Sequence, residues 1–178
     1  MSLKKRRAVF LDRDGVLNIP IIKKNKSYAP LKYKDFKLYP KLKFYCQKLK
    51  LSFLLIVVTN QPDIGRKKIK LTELKKMHHK LKKIINYDEL YFCSAISKKS
   101  YYKKPNPGMI LRAIKEFNIE PKKSYLIGDR WSDIMPGNKF GIKTLFIDRK
   151  YKEKKPNKYF RKVKSFSEAA RVILNDKS

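Results

Sequence analysis

Four short stretches of this chain put acids, amides and a lysine where chemistry could be done. The first is Asp12-Arg13-Asp14-Gly15, directly after the apolar run 8–11. Alternate residues of an extended strand share a face, so Asp12 and Asp14 would point the same way. Two carboxylates this close repel each other unless a cation or a proton lies between them. By themselves they could equally end a strand in an Asx-type turn. The other stretches are Thr59-Asn60-Gln61-Pro62, Lys103-Lys104-Pro105 and Gly128-Asp129-Arg130. Asp12, Asp14 and Asp129 together would make a hard oxygen site suited to Mg²⁺, which keeps several waters and bridges to phosphate oxygens. Lys104, with the hydroxyl and amides of Thr59 and Asn60, would cradle a phosphoryl group, whose transfer needs in-line positioning and charge neutralisation. A carboxylate can serve as the nucleophile. A second one two residues on can protonate the leaving oxygen and later deprotonate a water.

The elements that must position these groups can be read from the apolar pattern. Unbroken apolar runs at 8–11 and 53–58 mark strands buried on both faces. Further strands are expected at 89–93, 124–129 and 144–148. Between them lie helical spacings: one helix after Pro40, one over 71–85, one opened by Pro107, and a short one after Arg130 expected to break near Pro136-Gly137. Residues 19–39, with Pro20 and Pro30, read as an irregular excursion with room for a small hairpin. Residues 151–159 read as a charged loop, and 165–174 as a closing helix capped by Ser165 or Ser167. His78 and His79 face different directions on their helix and are read as surface or boundary residues. Cys46 reads as packing. This alternation predicts a three-layer, Rossmann-like α/β fold with a central parallel sheet of about five strands, flanked by helices and carrying a minimal cap. Ligands of such sheets lie at the carboxyl ends of the strands, near a topological switch point. Asp12, Asp14, Thr59, Asn60 and Asp129 would all stand on that rim.

With 178 residues, 42% of them hydrophobic, the chain is expected to form a single domain over 1–178. Its motif-bearing core would span 8–148, followed by the charged loop and closing helix of 149–178. No apolar run approaches a membrane span. The basic start, 1–7, precedes only a strand's worth of apolar residues, unlike a signal peptide. Two cysteines far apart suit a reduced, cytoplasmic chain. The formal net charge is +31. Lysines are spread throughout rather than clustered, and no nucleic-acid module motif is present, so nucleic acid is not expected as a partner.

The set Asp12-Arg13-Asp14-Gly15-Val16-Leu17-Asn18, Val58-Thr59-Asn60-Gln61, Lys103-Lys104-Pro105-Asn106-Pro107-Gly108-Met109 and Ile127-Gly128-Asp129-Arg130-Trp131-Ser132-Asp133 resembles the haloacid dehalogenase (HAD) superfamily. More narrowly, it resembles the small-capped phosphatases of subfamily IIIA, of the D-glycero-D-manno-heptose bisphosphate and histidinol-phosphate type. The resemblance implies a Mg²⁺-dependent phosphomonoesterase working through an aspartyl-phosphate. Asp12 would be nucleophile and metal ligand. Asp14 would be general acid/base and lend its backbone carbonyl to the metal, and Asp129 would complete the metal site. Thr59, Asn60, Lys103, Lys104 and Arg130 would bind phosphate or substrate. Asp133 would stand beside the site or start its helix rather than ligate. An acid at Asp14 marks the phosphatases of the superfamily rather than its dehalogenases. The segment after Cys93 departs from the subgroup, whose members hold a zinc ion there. Ala95, Ser100 and Tyr102 stand where the relatives have ligands, and Lys103 replaces an arginine. One thiol cannot close a tetrahedral site, so no Zn²⁺ is expected, and the loop should be mobile or pinned by Tyr101 and Tyr102. The expected substrate is a small phosphorylated metabolite, first a heptose bisphosphate. Histidinol phosphate, a nucleic-acid end phosphate and a catalytically weak phosphate-binding role are the other readings. A monomer is expected.

Overall fold

The computed structural model describes residues 4–176; residues 1–3 of the basic start lie outside the described residues, as do 177–178. The chain runs β1 (Ala8–Leu11), β2 (Ile21–Lys23), β3 (Lys26–Tyr28), α1 (Leu42–Lys50), β4 (Leu54–Asn60), α2 (Pro62–Gly65), α3 (Leu71–Ile85), β5 (Glu89–Cys93), α4 (Gly108–Glu116), β6 (Tyr125–Gly128), α5 (Trp131–Lys139), β7 (Lys143–Ile147), β8 (Arg161–Val163) and α6 (Phe166–Asn175).

Six strands form one parallel sheet in the order β5-β4-β1-β6-β7-β8. The order reverses at β1, which lies between β4 and β6, so the switch-point crevice opens at the carboxyl end of β1. Side chains alternate across the sheet. Val9, Leu11, Leu55, Val57, Ile127 and Leu145 face one core, which α1, α3 and α6 cover. Ala8, Phe10, Ile56, Val58, Leu126 and Phe146 face the other, covered by α4 and α5. Cys46 is fully buried in the first of these cores, as packing. Covering both faces is what lets β1 and β4 be apolar at nearly every position.

The excursion after β1 does contain a hairpin. β2 and β3 pair antiparallel around Lys24 and Asn25, both with positive φ, the backbone of a type I′ turn. The sheet has six strands rather than about five. The addition, β8, pairs with β7 at the edge, and two of its three residues are exposed and basic, as edge strands commonly are. No apolar run announces it. Helix α5 also departs from expectation, running unbroken through Pro136. A proline loses its own bond to the carbonyl four residues back and crowds that carbonyl with its ring. Here that carbonyl belongs to Ser132, in the first turn. The closing helix begins as expected, with Ser165 Oγ accepting from Glu168 N at 3.2 Å.

Candidate active site

The chain leaves β1 still tied to the sheet, with Asp12 N donating to the Ile127 carbonyl of β6 at 3.0 Å. It then turns sharply: Leu17 N and Asn18 N both donate to the Arg13 carbonyl, at 2.9 and 3.0 Å. Gly15 makes the turn possible at φ +96°. A Cβ there would lie 1.8 Å from Oδ2 of Asp129, so the glycine is needed for space as well as backbone freedom.

The carboxylates of Asp12, Asp129 and Asp133 converge, with one oxygen from each within 4.8 Å of the others. All three residues are buried. Lys104 reaches them from the loop before α4. Its Nζ lies 2.6 Å from Asp12 Oδ1 and 2.8 Å from Asp133 Oδ1, and it also donates to the Val58 carbonyl at 2.8 Å. Burial opposes the ammonium's charge, but the two carboxylates hold its pKa above the ordinary lysine value. Burial and repulsion from Asp133 and Asp14 push Asp12 up to about 7, against the pull of Lys104. Asp129 is pushed well above the usual carboxylate range by burial, then by Asp133 and Asp12. Neither of its oxygens has a hydrogen-bond partner among the described residues. A buried, unpartnered carboxylate beside two others is a costly arrangement that a divalent cation relieves. Hard oxygen donors at this spacing fit Mg²⁺.

Asp14 sits differently. Arg13 Nη2 lies 2.9 Å from both its oxygens, Asn18 Nδ2 donates to Oδ1 at 3.0 Å, and Gln61 Nε2 donates to Oδ2 at 2.7 Å. Burial alone would raise this carboxyl, but Arg13, Asn18 and Gln61 hold it below the usual range. Thr59 is buried, its hydroxyl accepting from Gln61 Nε2 at 2.9 Å. Asn60 clasps the Lys104 backbone, donating from Nδ2 to its carbonyl at 2.9 Å and accepting from its N–H at 3.0 Å. Lys103 Nζ donates to the Ile96 carbonyl at 2.5 Å. Arg130 donates to the Ser27 carbonyl on β3 and pairs with Glu153 at 3.4 Å. Asp133 accepts from Arg130 N at 3.0 Å, as a helix-start residue would, while also meeting Lys104.

Asp12, Asp14, Thr59, Asn60, Lys103, Lys104, Arg130 and Asp133 line a cavity of about 320 Å³ together with Lys26, Ser27, Tyr28, Asp63, Arg66 and Glu153. The hairpin overhangs it, and the segment after β7 holds the hairpin in place. Lys152 N donates to the Asn25 carbonyl and Arg149 Nε to the Gly15 carbonyl, both at 2.9 Å. On the other rim, the loop from 94 to 107 is fastened by Asn106, whose Nδ2 donates to the carbonyls of Ser100 at 2.8 Å and Lys98 at 3.1 Å. Tyr101 and Tyr102 meet edge to face and stay about half exposed, so they are not the pins expected from the sequence.

Two residues behind the site escaped the sequence reading. Arg13 is completely buried against Asp14, and His78 is buried too, its Nε2 3.1 Å from Arg13 Nη1. The expectation of a surface or boundary position for His78 is corrected here. Leu74, Met77, His78, Leu81 and Ile85 form the buried stripe of α3. The spacing that marks an apolar face therefore includes the histidine.

A parallel sheet covered by helices, with buried acids and a buried ammonium at its switch point, is the α/β architecture of an enzyme that handles phosphoryl groups. A family model described as HAD-hydrolase-like matches residues 101–164. The D-glycero-alpha-D-manno-heptose-1,7-bisphosphate 7-phosphatase of Campylobacter jejuni is 35% identical over 177 residues, spanning 96% of this chain and 95% of that protein. The D-glycero-beta-D-manno-heptose-1,7-bisphosphate 7-phosphatase of Pasteurella multocida is 35% identical across 80% of this chain and 81% of its own. The crystal structure of D,D-heptose 1,7-bisphosphate phosphatase from B. bronchiseptica, complexed with magnesium and phosphate, shares the fold. It matches with a TM-score of 0.81 over 94% of this chain and 98% of that one, at 18% identity. The chain belongs to the HAD superfamily of phosphomonoester hydrolases, in the branch that includes these phosphatases.

Proposed function

We propose that the chain is a Mg²⁺-dependent phosphatase that removes one phosphoryl group from a small sugar bisphosphate, first among candidates a D-glycero-D-manno-heptose 1,7-bisphosphate. The observation that carries this reading is the unpartnered, buried Asp129 carboxylate beside the Asp12–Lys104 pair. It combines an open demand for a cation with a carboxylate held ready to attack.

Asp12 Oδ attacks phosphorus, the bond from phosphorus to the leaving alcohol breaks, and an aspartyl-phosphate forms. Asp14, ionised against Arg13 in the free site, takes up a proton as the anionic substrate binds, gives it to the leaving oxygen, and then takes one from the water that hydrolyses the acyl phosphate. Lys104 balances charge on Asp12 and on the transferring group. Thr59 and Asn60 would bind the phosphoryl oxygens, while the Asn60 side chain keeps the Lys104 loop in register. Asp12, the Asp14 backbone carbonyl and Asp129 would hold Mg²⁺. When bound, the ion neutralises an anionic phosphate that the nucleophile would otherwise repel. Arg130 and Lys103 stand at the cavity walls as contacts for the rest of the substrate. Of the relatives named above, one is named for the alpha anomer and another for the beta, and either substrate fits this reading.

The Cys93 thiol meets the Ser100 hydroxyl, 3.8 Å away, where a zinc site would need a further thiolate or imidazole, so no zinc is expected on metal analysis. A monomeric, cytoplasmic enzyme completes the reading. Among the described residues no helix is long and apolar enough to cross a membrane. The test is phosphate release with Mg²⁺ from both heptose bisphosphate anomers, histidinol phosphate and a 3′-phosphorylated oligonucleotide. The heptose bisphosphate should be hydrolysed fastest, and faster release from the oligonucleotide at physiological salt would overturn the substrate class. Asp12→Asn should lower turnover by roughly 10³-fold or more. Retained turnover in that variant would rule out the covalent route.

A further inference from the structure

His78 is a buried, polar, neutral side chain that the proposed chemistry does not use. Arg13 is what it serves. The guanidinium is completely buried, with its Nε and Nη2 on the Asp14 carboxylate at 2.9–3.2 Å and its face 5.4 Å from the Phe36 ring centroid. Its remaining nitrogen, Nη1, meets His78 Nε2 at 3.1 Å. A guanidinium can only donate, so Nε2 is the accepting nitrogen and the ring carries its proton on Nδ1. Burial and the Arg13 charge push the His78 pKa down to about 3, consistent with a neutral ring. An edge contact with Phe92, 5.8 Å between centroids, fixes the ring's plane.

The choice of a neutral acceptor matters. A carboxylate in this position would divide Arg13 between two anions and weaken its hold on Asp14. An apolar side chain would leave Nη1 buried without an acceptor, and the guanidinium would rotate to find one. We propose that His78 is a positioning residue for Asp14: it holds Arg13 from behind, and Arg13 in turn fixes the carboxylate that exchanges the proton. Asn18 and Gln61 also hold Asp14, so losing His78 loosens the carboxylate rather than releasing it. The inference rests on the reading of Asp14 as acid and base.

The test compares His78→Leu with His78→Gln, whose amide oxygen can replace Nε2 as a neutral acceptor. Two esters of nearly the same shape serve as probes, p-nitrophenyl phosphate and phenyl phosphate. The nitrophenolate leaves without a proton, whereas the phenolate needs one. In His78→Leu, kcat on phenyl phosphate should fall about ten- to a hundred-fold with KM unchanged. The first turnover of p-nitrophenyl phosphate should keep its wild-type rate, and His78→Gln should recover most of the loss. If the leucine variant does not fold, His78→Asn, too short to reach Nη1, takes its place. An equal loss on both esters in the first turnover, no loss on either, or failure of glutamine to rescue would each overturn the proposal. A wild-type protein that releases phosphate neither from these esters nor from the heptose bisphosphates would instead overturn the phosphatase reading itself.

Discussion

At Lys104 two carboxylates share one ammonium, and all three groups are out of water. The Lys104 side chain is 2% exposed, and those of Asp12 and Asp133 are 9% and 5% exposed. Breaking a buried pair by removing one partner costs more than the pair contributes, because the remaining charge stays buried. Lys104→Met should therefore destabilise the fold by about 3–5 kcal/mol in urea unfolding without Mg²⁺. A divalent cation is the other way to neutralise this cluster, so Mg²⁺ should raise the melting temperature of Lys104→Met more than that of wild type. At this scale Asp12, Thr59 and Asp129 were legible because each follows directly on an apolar run. Arg13 and His78 were not. Arg13 was given no role, and the adjacent pair suggested surface or boundary histidines, whereas tertiary packing brought Arg13 and His78 together.

At the scale of elements, the turn after β1 matters most. Gly15→Ala would put a methyl group into the Asp129 carboxylate at a φ that L residues avoid. The expected result is a stability loss of more than about 1 kcal/mol, with a higher Mg²⁺ concentration needed for half-maximal rate. A magnesium titration run beside a thermal melt would read both. The end of β7 offers a second test. The Asp148 carboxylate accepts from Lys150 N at 3.0 Å and has the ammonium groups of Lys150, Lys155 and Lys162 within 3.1–3.4 Å. Burial would raise its pKa, but these donors hold it below the usual carboxylate range. A depressed folded pKa contributes stability that is fully present above about pH 4 and is lost as pH falls through the folded value. Asp148→Asn should cost roughly 1 kcal/mol at pH 7, and the gap from wild type should narrow in unfolding measured at pH 3. The strands of the sheet's middle were readable from their apolar runs. β8 was not, since a three-residue edge strand needs only one inward side chain, Val163. The unbroken α5 was also missed, because the cost of Pro136 depends on which carbonyl loses its partner.

For the whole molecule, 46 lysines and arginines against 15 acids make a strongly positive particle. Its field should draw phosphate-bearing substrates toward the cavity and also strain the fold by self-repulsion. Salt screens both over a Debye length of about 8 Å at physiological strength. Raising salt across that range should lower kcat/KM, leave kcat unchanged and raise the melting temperature; a salt-independent kcat/KM would remove the steering.

The central position of β1 also has a consequence in time. The strand that delivers Asp12 precedes every other strand of the sheet in sequence, yet one of its two neighbours is β6, and Ala8 N donates to Ser124 Oγ across 116 residues of sequence. Pairings between such distant segments close late and slow folding. On the ribosome, β1 can join β4 early, but its other edge must wait unpaired until β6 emerges. A half-made chain would thus expose a bare strand edge of four apolar residues, which is where a chaperone would bind or two nascent chains would stick together.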